Sequence, residues 1–512
     1  MGIPSYFSYI IKNYPNIIRK FVNCERFQHL FMDCNSIVYD SYYELEEIYK
    51  KESYTTDSDS FEDRLIQIVI KKIENYILYL SPSKTVYITF DGVAPFAKMD
   101  QQRIRRYKTL FMSKISKSTK LWNTSAITPG TKFMDKLTYE ITAFFDLYNK
   151  KQTAIHVIIS CSNEPGEGEH KLFKYIRNND CSNDNVAIYG LDSDLIMLSI
   201  FHRQFTKNIF VFREAPSFKS VISSKIDEKE KLFLDIDVLS ASIFAEMGNS
   251  SNKTHSRTRI YDYVFMCFLL GNDFLPHFPS LNIRTHGFQI LTDTYSNIIG
   301  KYDDRSFICV ETNKIQWKWV GLFLTELSKN EKQYILNEYS CRDKMDGRRW
   351  SANTPTEIDQ IITNVPIIYR ADEKYICPTE HGWERRYYKT LFHTVSNEEN
   401  IKKISLNYLE GLEWVFKYYT NDCPDWRWKY NYHYPPLLKD LIKYIPSSSC
   451  RDFIENQVAQ PFEPSKQLAY VLPKEYMYLI QDENILKDIE NNTPDKYEFM
   501  WAFKRYLWEA YI

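Results

Sequence analysis

The fold is decided by four short stretches that each lead into acidic residues: 29–33 (HLFMD), 86–91 (VYITFD), 155–160 (IHVIIS) followed by 165–169 (PGEGE), and 186–194 (VAIYGLDSD). Each stretch is apolar and bounded by turn residues, which is typical of a buried β-strand. Helical stretches such as residues 61–80 lie between them. This alternation predicts an α/β fold with a mostly parallel sheet, whose working residues lie beyond the carboxyl ends of the strands.

Acidic residues stand at these strand ends and in one later turn: Asp33, Asp91, Glu167, Glu169, Asp192, Asp194 and Asp273. So many carboxylates at one sheet edge would repel one another strongly unless cations bound there. Mg²⁺ favours carboxylate oxygens together with substrate phosphate. We therefore predict that all seven are metal ligands and catalytic residues of a site for two Mg²⁺ ions, which Mn²⁺ can replace. Two ions about 4 Å apart can activate a water and stabilise the leaving oxygen of a phosphodiester. The alternative is that these acids cap helices and turns.

A basic segment follows Asp91 directly. Residues 98–132 contain nine Lys or Arg and one acid, in a chain whose net charge is −1. Lys98, Gln102, Arg105 and Arg106 have the spacing of one helix face. Guanidinium forks match phosphate oxygens, so this face predicts a phosphate socket near the metal ligands. The alternative is an ordinary solvated helix face.

Composition narrows the remaining classes of protein. The ten cysteines form no CxxC pair, which argues against zinc knuckles and disulfide scaffolds and for a reducing compartment. No apolar run is long enough to span a bilayer, so we expect no membrane partner. We expect an intracellular protein, cytoplasmic rather than nuclear, because no basic tract of the nuclear-localisation type is present. A chain of 512 residues predicts two or three domains.

Longer motifs surround these acids and basic residues: 1–7 (MGIPSYF), 91–95 (DGVAP), 97–99 (AKM), 101–106 (QQRIRR), 165–171 (PGEGEHK), 189–198 (YGLDSDLIML) and 271–277 (GNDFLPH). A weaker second set comprises 408–414 (YLEGLEW), 423–426 (CPDW), 432–436 (YHYPP), 460–462 (QPF) and 471–473 (VLP). In sequence and order, the two sets resemble the two conserved regions of the Xrn 5′→3′ exoribonucleases.

The resemblance implies a PIN-like, flap-nuclease-related α/β core with a helical, aromatic-rich C-terminal region. It implies a nuclease core over 1–295, a variable helical connector over 296–400, and a second conserved region over 401–512 that completes the active-site pocket. It also implies that Lys98, Gln102, Arg105 and Arg106 bind the 5′-monophosphate of a single-stranded RNA. Tyr39, Trp426 and Trp428 are the residues expected to stack on its first bases.

The expected function is therefore processive 5′→3′ hydrolysis of decapped RNA to mononucleotides. Two positions depart from the family pattern: Tyr39 replaces a usual His, and Phe96 replaces a usual basic residue. Because the chain ends soon after the second region, we expect a short form of the family, virus-encoded or from a protist.

Two rival functions remain. One is a structure-specific 5′ flap or DNA nuclease of the same superfamily, which a comparison of RNA and DNA substrates would separate. The other is a catalytically inactive RNA-binding scaffold. An inactive member should have lost metal ligands, whereas all seven acids are present here, and calorimetry of metal binding would separate this rival.

Overall fold

The computed structural model describes residues 3, 5–20, 26–52, 58–116, 121–151, 155–214, 231–247, 256–347, 349–368, 370–447, 452–454 and 459–492. Met1, Gly2 and Pro4 of the first motif lie outside the described residues. So do Lys117 and Lys120 of the basic segment and residues 493–512 of the predicted third domain.

One large sheet organises the first half of the chain. Within the described ranges its strands are β1 (Ile18–Arg19), β2 (His29–Asp33), β3 (Thr85–Thr89), β4 (His156–Ser160), β5 (Cys181–Tyr189), β6 (Thr206–Glu214) and β7 (Lys231–Asp235). Their order across the sheet is β1-β7-β6-β5-β2-β3-β4. Strands β2 to β6 pair in parallel, whereas β7 pairs antiparallel with β6 and with β1. The predicted mostly parallel sheet is confirmed, with an antiparallel edge that the sequence did not indicate.

Helices cover both faces of this sheet. The helices in the described residues of this half are α1 (Tyr6–Asn13), α2 (Asn35–Glu52), α3 (Ser58–Leu80), α4 (Phe96–Ser116), α5 (Lys132–Lys151), α6 (Gly168–Asn178), α7 (Asp194–His202), α8 (Ile236–Met247), α9 (Ser256–Cys267) and α10 (Gly287–Tyr295). In β2, Leu30 and Met32 pack in the core on one face, and Phe31 packs in the core on the other. Burial on both faces explains why the strands are continuously apolar rather than alternating.

In the described residues of the second half, the secondary structure is helical apart from one short hairpin, β8 (Ile308–Cys309) with β9 (Lys314–Ile315). Its helices in the described ranges are α11 (Trp317–Lys329), α12 (Glu331–Asp346), α13 (Pro355–Thr363), α14 (Val365–Ile368), α15 (Ala371–Ile376), α16 (Trp383–Phe392), α17 (Glu398–Thr420), α18 (Leu438–Leu441), α19 (Pro464–Val471) and α20 (Glu483–Asn492). The predicted α/β class with a helical, aromatic-rich C-terminal region is confirmed.

The two halves share a hydrophobic core. Tyr408 and Trp414 of α17 belong to the same buried cluster as Phe31 of β2 and Leu195 of α7. Helix α17 also packs against α7. The predicted domain limits at 295/296 and 400/401 stay predictions. In the part of the chain that the structure describes, no helix has the length and apolar character needed to cross a bilayer.

Candidate functional site

The sheet order brings the acidic motifs together. Strands β4, β3, β2 and β5 are neighbours and run in parallel, so their carboxyl ends share one edge. Asp33 is the last residue of β2, and Asp91 follows β3 by two residues. From β2 the chain moves to β3 on one side, and it later returns to β5 on the other. This is the switch point at which open α/β sheets bind their ligands.

The two acidic pairs lie at helix starts. Glu167 directly precedes α6 and Glu169 is in its first turn, whereas Asp192 lies two residues before α7 and Asp194 is the first residue of that helix. A carboxylate in the first turn is favoured by the helix dipole. Glu167 occupies the cap position of α6, yet its side chain makes no cap hydrogen bond. The carboxylate of Glu167 is thus not used as a helix cap.

Asp91 is fixed by the neighbouring loops. One carboxylate oxygen accepts a hydrogen bond from the backbone N–H of Gly168 at 2.7 Å, and the other accepts one from the side-chain amide of Asn35. A Cβ at Gly168 would lie 2.7 Å from Oδ1 of Asp33. The glycine between Glu167 and Glu169 is therefore needed for the close approach of α6 to β2.

Three carboxylates of this site have an oxygen without a hydrogen-bond partner in the described part of the chain. Oδ1 of Asp33, Oε2 of Glu169 and Oδ1 of Asp194 are buried and make no hydrogen bond among the described residues. Burial and the nearby Asp91 raise the pKa of Asp33 to about 7, and burial and Asp273 raise the pKa of Asp194 to about 6. Burial also holds the pKa of Glu169 well above its usual value. Such oxygens fit a hard divalent cation, because it would replace the missing partners and favour the ionised carboxylates.

A second set of donor atoms lies beside these oxygens. One donor atom from each of Glu167, Glu169 and His170 falls within 4.8 Å of the others. The His170 ring is also stacked on Tyr418, with ring centroids 3.6 Å apart. Burial holds the pKa of His170 well below its usual value, so the ring is neutral.

Lys98 of α4 joins Asp273 to the other acids. Its Nζ atom is 2.7 Å from Oε1 of Glu167 and 2.5 Å from Oδ2 of Asp273. The amide of Gln101 donates to the other oxygen of Asp273. Burial alone would raise the pKa of Asp273, but the Lys98 ammonium lowers it to about 2. Lys98, predicted from sequence to bind phosphate, therefore lies among the acids and already neutralises part of their charge.

The other predicted phosphate-binding residues lie farther along the same helix. Gln102 is buried and accepts a hydrogen bond from Gln467 of α19 at 3.1 Å. Arg106 donates to the hydroxyl of Thr128 at 2.8 Å and to the hydroxyl of Tyr39 at 3.3 Å. Arg105 is exposed. The helical spacing is confirmed, while phosphate binding stays a prediction.

The three predicted stacking residues have different surroundings. Trp426 is partly exposed, and its ring lies 3.9 Å from the position of a Cβ at Gly166, in the turn before Glu167. Trp428 is buried and stacks on Trp414, with ring centroids 5.4 Å apart and an interplanar angle of 21°. Tyr39 lies against Arg106. Trp426 thus lies beside the acidic turn and Tyr39 beside a predicted phosphate-binding residue, whereas the Trp428 ring is part of the core.

Two site residues escaped sequence reasoning. The Tyr418 hydroxyl donates to Oε2 of Glu167 at 2.9 Å, across 251 positions of sequence. Lys171 donates to the backbone carbonyls of Phe90 at 2.9 Å and Cys161 at 2.8 Å, which ties the segments after β3 and β4 together. Lys171 is the last residue of the PGEGEHK motif, but the position of Tyr418 could be found only from the three-dimensional structure.

Two protein-family models and several curated relatives match this chain. The family model described as "XRN 5'-3' exonuclease N-terminus" matches residues 1–215, and "Xrn1 helical domain" matches 253–374 and 369–511. The 5'-3' exoribonuclease 2 of Debaryomyces hansenii is 26% identical, over 92% of this chain and 64% of that protein. The 5'-3' exoribonuclease 1 of Saccharomyces cerevisiae is 26% identical, over 94% of this chain and 40% of that protein. The chain thus spans less than two thirds of these relatives.

Solved structures give a weaker similarity. Two structures of the catalytic core of Rad2 in complex with DNA substrate are 12% and 9% identical to this chain, with TM-scores of 0.33 and 0.31. The first alignment covers 70% of this chain and 85% of the Rad2 chain, and the second covers 92% of this chain and 99% of the Rad2 chain. The two family models, however, together match most of the sequence, and the chain therefore belongs to the Xrn family of 5′→3′ exonucleases.

Proposed function

We propose that this chain is a processive 5′→3′ exoribonuclease that hydrolyses single-stranded, 5′-monophosphorylated RNA to mononucleotides by two-metal-ion catalysis. The observation that carries the proposal is the meeting of acidic motifs at the carboxyl ends of four neighbouring parallel strands, in a chain of the Xrn family. The RNA would be decapped RNA, and the role would be RNA turnover.

The metal ions would be held by the seven acids that the sequence identified. Asp33, Glu169 and Asp194 each offer a buried oxygen without a hydrogen-bond partner among the described residues. Asp91 is oriented by Gly168 and Asn35, and its carboxylate adds to the negative charge of the site. Bound Mg²⁺ or Mn²⁺ would supply an activated water and stabilise the leaving oxygen.

The 5′-phosphate would bind on α4. Lys98 and Arg106 lie at the two ends of this face, and Lys98 contacts Glu167 and Asp273 directly. A phosphate held there lies next to the acids, so the first phosphodiester of the strand reaches the metal site. The first bases would stack on Tyr39 and Trp426, with Trp428 supporting the pocket from the core.

We propose the same division of the chain into domains as above: a nuclease core over 1–295, a connector over 296–400 and a region over 401–512 that completes the active-site pocket.

The test uses one 3′-labelled RNA with a 5′-monophosphate, a 5′-triphosphate or a 5′-hydroxyl, in Mg²⁺ or in EDTA. Only the monophosphate form in Mg²⁺ should disappear, without intermediates. The Asp192→Asn/Asp194→Asn double variant should be inactive, whereas Asp146→Asn, at an exposed acid of α5, should match the parent. Equal loss of all three RNAs would refute the phosphate pocket. Faster cleavage of a DNA flap would favour the flap-nuclease rival, and RNA binding without Mg²⁺-dependent cleavage would favour the scaffold.

A further inference from the structure

A tyrosine of the helical half reaches into the acidic site. Tyr418 belongs to α17, is buried, and donates its hydroxyl hydrogen to Oε2 of Glu167 at 2.9 Å. Glu167 is itself only 5% exposed. A buried hydrogen bond between a hydroxyl and a carboxylate is among the stronger ones in proteins, because the acceptor is charged.

The Tyr418 ring is held from several sides. It stacks on His170, with ring centroids 3.6 Å apart and an interplanar angle of 18°. Its ring centroid is also 4.8 Å from that of Trp414 and, in a T-shaped arrangement, 5.7 Å from that of Phe274. His170 belongs to the same motif as Glu167, and Phe274 follows Asp273. The ring therefore packs against both acidic segments that Lys98 joins, and its hydroxyl has little freedom to move.

The two oxygens of Glu167 have separate partners. Oε2 is taken by Tyr418, and Oε1 is 2.7 Å from Nζ of Lys98. A cation that bound Oε1 would replace only the Lys98 contact, while Tyr418 kept the carboxylate in place. Without the tyrosine hydroxyl, the carboxylate could rotate, and its second oxygen would be buried without a hydrogen bond.

We propose that Tyr418 is a positioning residue that orients Glu167 for metal binding, so that helix α17 of the second conserved region is part of the metal site. This inference rests on the proposed function, because it concerns the metal that the acids would hold. Partners of ligating carboxylates typically contribute 10- to 100-fold in metal affinity.

The test compares Tyr418→Phe with Tyr408→Phe in the full chain. Tyr408 lies in the same helix, is equally buried, and donates its hydroxyl hydrogen to the backbone carbonyl of Pro276 at 2.9 Å. Both variants lose one hydrogen bond made by the hydroxyl of a buried tyrosine, but only Tyr418→Phe loses a bond to an acid of the site. Calorimetric titration with Mg²⁺ should show about 10- to 100-fold weaker binding for Tyr418→Phe and parent-like binding for Tyr408→Phe.

Activity gives a second readout. The Mg²⁺ concentration for half-maximal RNA cleavage should rise by the same factor in Tyr418→Phe, while kcat at saturating Mg²⁺ should stay near that of the parent. In a Glu167→Gln background, Tyr418→Phe should cause little further loss of Mg²⁺ affinity, because the carboxylate it orients is gone.

The outcomes distinguish the positioning role of Tyr418 from the proposed function of the chain. If the parent protein binds Mg²⁺ and cleaves RNA, and Tyr418→Phe binds Mg²⁺ as the parent does, the positioning role is wrong and the proposed function stands. If Tyr408→Phe weakens Mg²⁺ binding as much as Tyr418→Phe, general loosening of α17 is the cause and the positioning role is again wrong. If the parent protein neither binds Mg²⁺ nor cleaves RNA, the proposed function itself fails.

Discussion

Replacing the carboxylate of Asp33 by an amide should stabilise the protein while the protein holds no metal. Asp33 has an unfolded-chain pKa of 3.8, and burial together with Asp91 raises the pKa in the fold to about 7. The folded protein therefore binds this proton more tightly than the unfolded chain, so stability falls as pH rises from about 4 to about 7. Above that range, ionised Asp33 costs the fold about 4 kcal/mol.

The Asp33→Asn variant keeps the shape of the side chain and removes this cost. In EDTA its free energy of unfolding should exceed that of the parent by about 1.5 kcal/mol at pH 5 and by about 4 kcal/mol at pH 8. For a chain of this length, unfolding entropy is about 1 kcal/mol per kelvin, so the gain at pH 8 corresponds to roughly 4 °C in Tm. The variant should also be inactive, because it lacks one predicted metal ligand.

Thermal unfolding in EDTA at pH 5, 6, 7 and 8 measures the effect. Asp146→Asn, at an exposed acid of α5, serves as the matched control and should shift Tm by less than about 1 °C at every pH. Adding Mg²⁺ should raise the Tm of the parent more than that of Asp33→Asn. A variant that is less stable than the parent at pH 8, or a gain that does not grow with pH, would refute the view that Asp33 is an uncompensated carboxylate.

Three further predictions concern single contacts. Gly168→Ala places a Cβ 2.7 Å from Oδ1 of Asp33, so turnover of 5′-monophosphorylated RNA should fall about 100-fold while circular dichroism is unchanged; parent-like turnover would contradict the close approach. Arg106→Lys loses the guanidinium fork, so KM for the same RNA should rise about 10-fold with kcat nearly constant, and an unchanged KM would argue against phosphate binding there. His202 is held neutral, since Nδ1 donates to a backbone carbonyl, Nε2 accepts from Arg177, and burial lowers its pKa to about 3. Because the unfolded chain takes up a proton at this histidine below about pH 6.5 and the fold does not, the neutral ring makes the free energy of unfolding fall as pH falls from 7 to 5. The His202→Gln variant should reduce that fall by about 2 kcal/mol, measured by denaturant titration at both pH values. An equal fall in the variant and the parent would mean that His202 is protonated in the fold.

The central sheet could be predicted because its strands are short, apolar and separated by helices. Strand β2 matches the predicted stretch of residues 29–33, and α3 extends the predicted helix by three residues at its start. Strand β6 and the antiparallel strands β7 and β1 were missed. Strand β1 has only two residues, and its pairing with β7 joins residues more than 200 positions apart. Short pairings of this kind depend on tertiary contacts, which sequence periodicity does not encode.

Some residues of the candidate site could likewise be predicted from the sequence, and others could not. Six of the seven predicted acids follow strands β2 to β5, and parallel strands place their carboxyl ends together. Asp273 instead follows a helical segment that ends at Leu270. The ion pairs of Lys98 were not found, since the spacing of Lys98, Gln102 and Arg106 describes one helix face and not what that face meets. Tyr418 was not found because its hydroxyl is paired only through the packing of α17 against α6.

The position of Lys98 links recognition of the RNA end to the place of cleavage. An ammonium group has three N–H donors, and two of them face Glu167 and Asp273. If the third binds the 5′-phosphate as proposed, that phosphate lies one side chain away from the acids. A metal ion that took over Glu167 and Asp273 would release Lys98 to bind the phosphate more fully, so each ligand should strengthen the binding of the other.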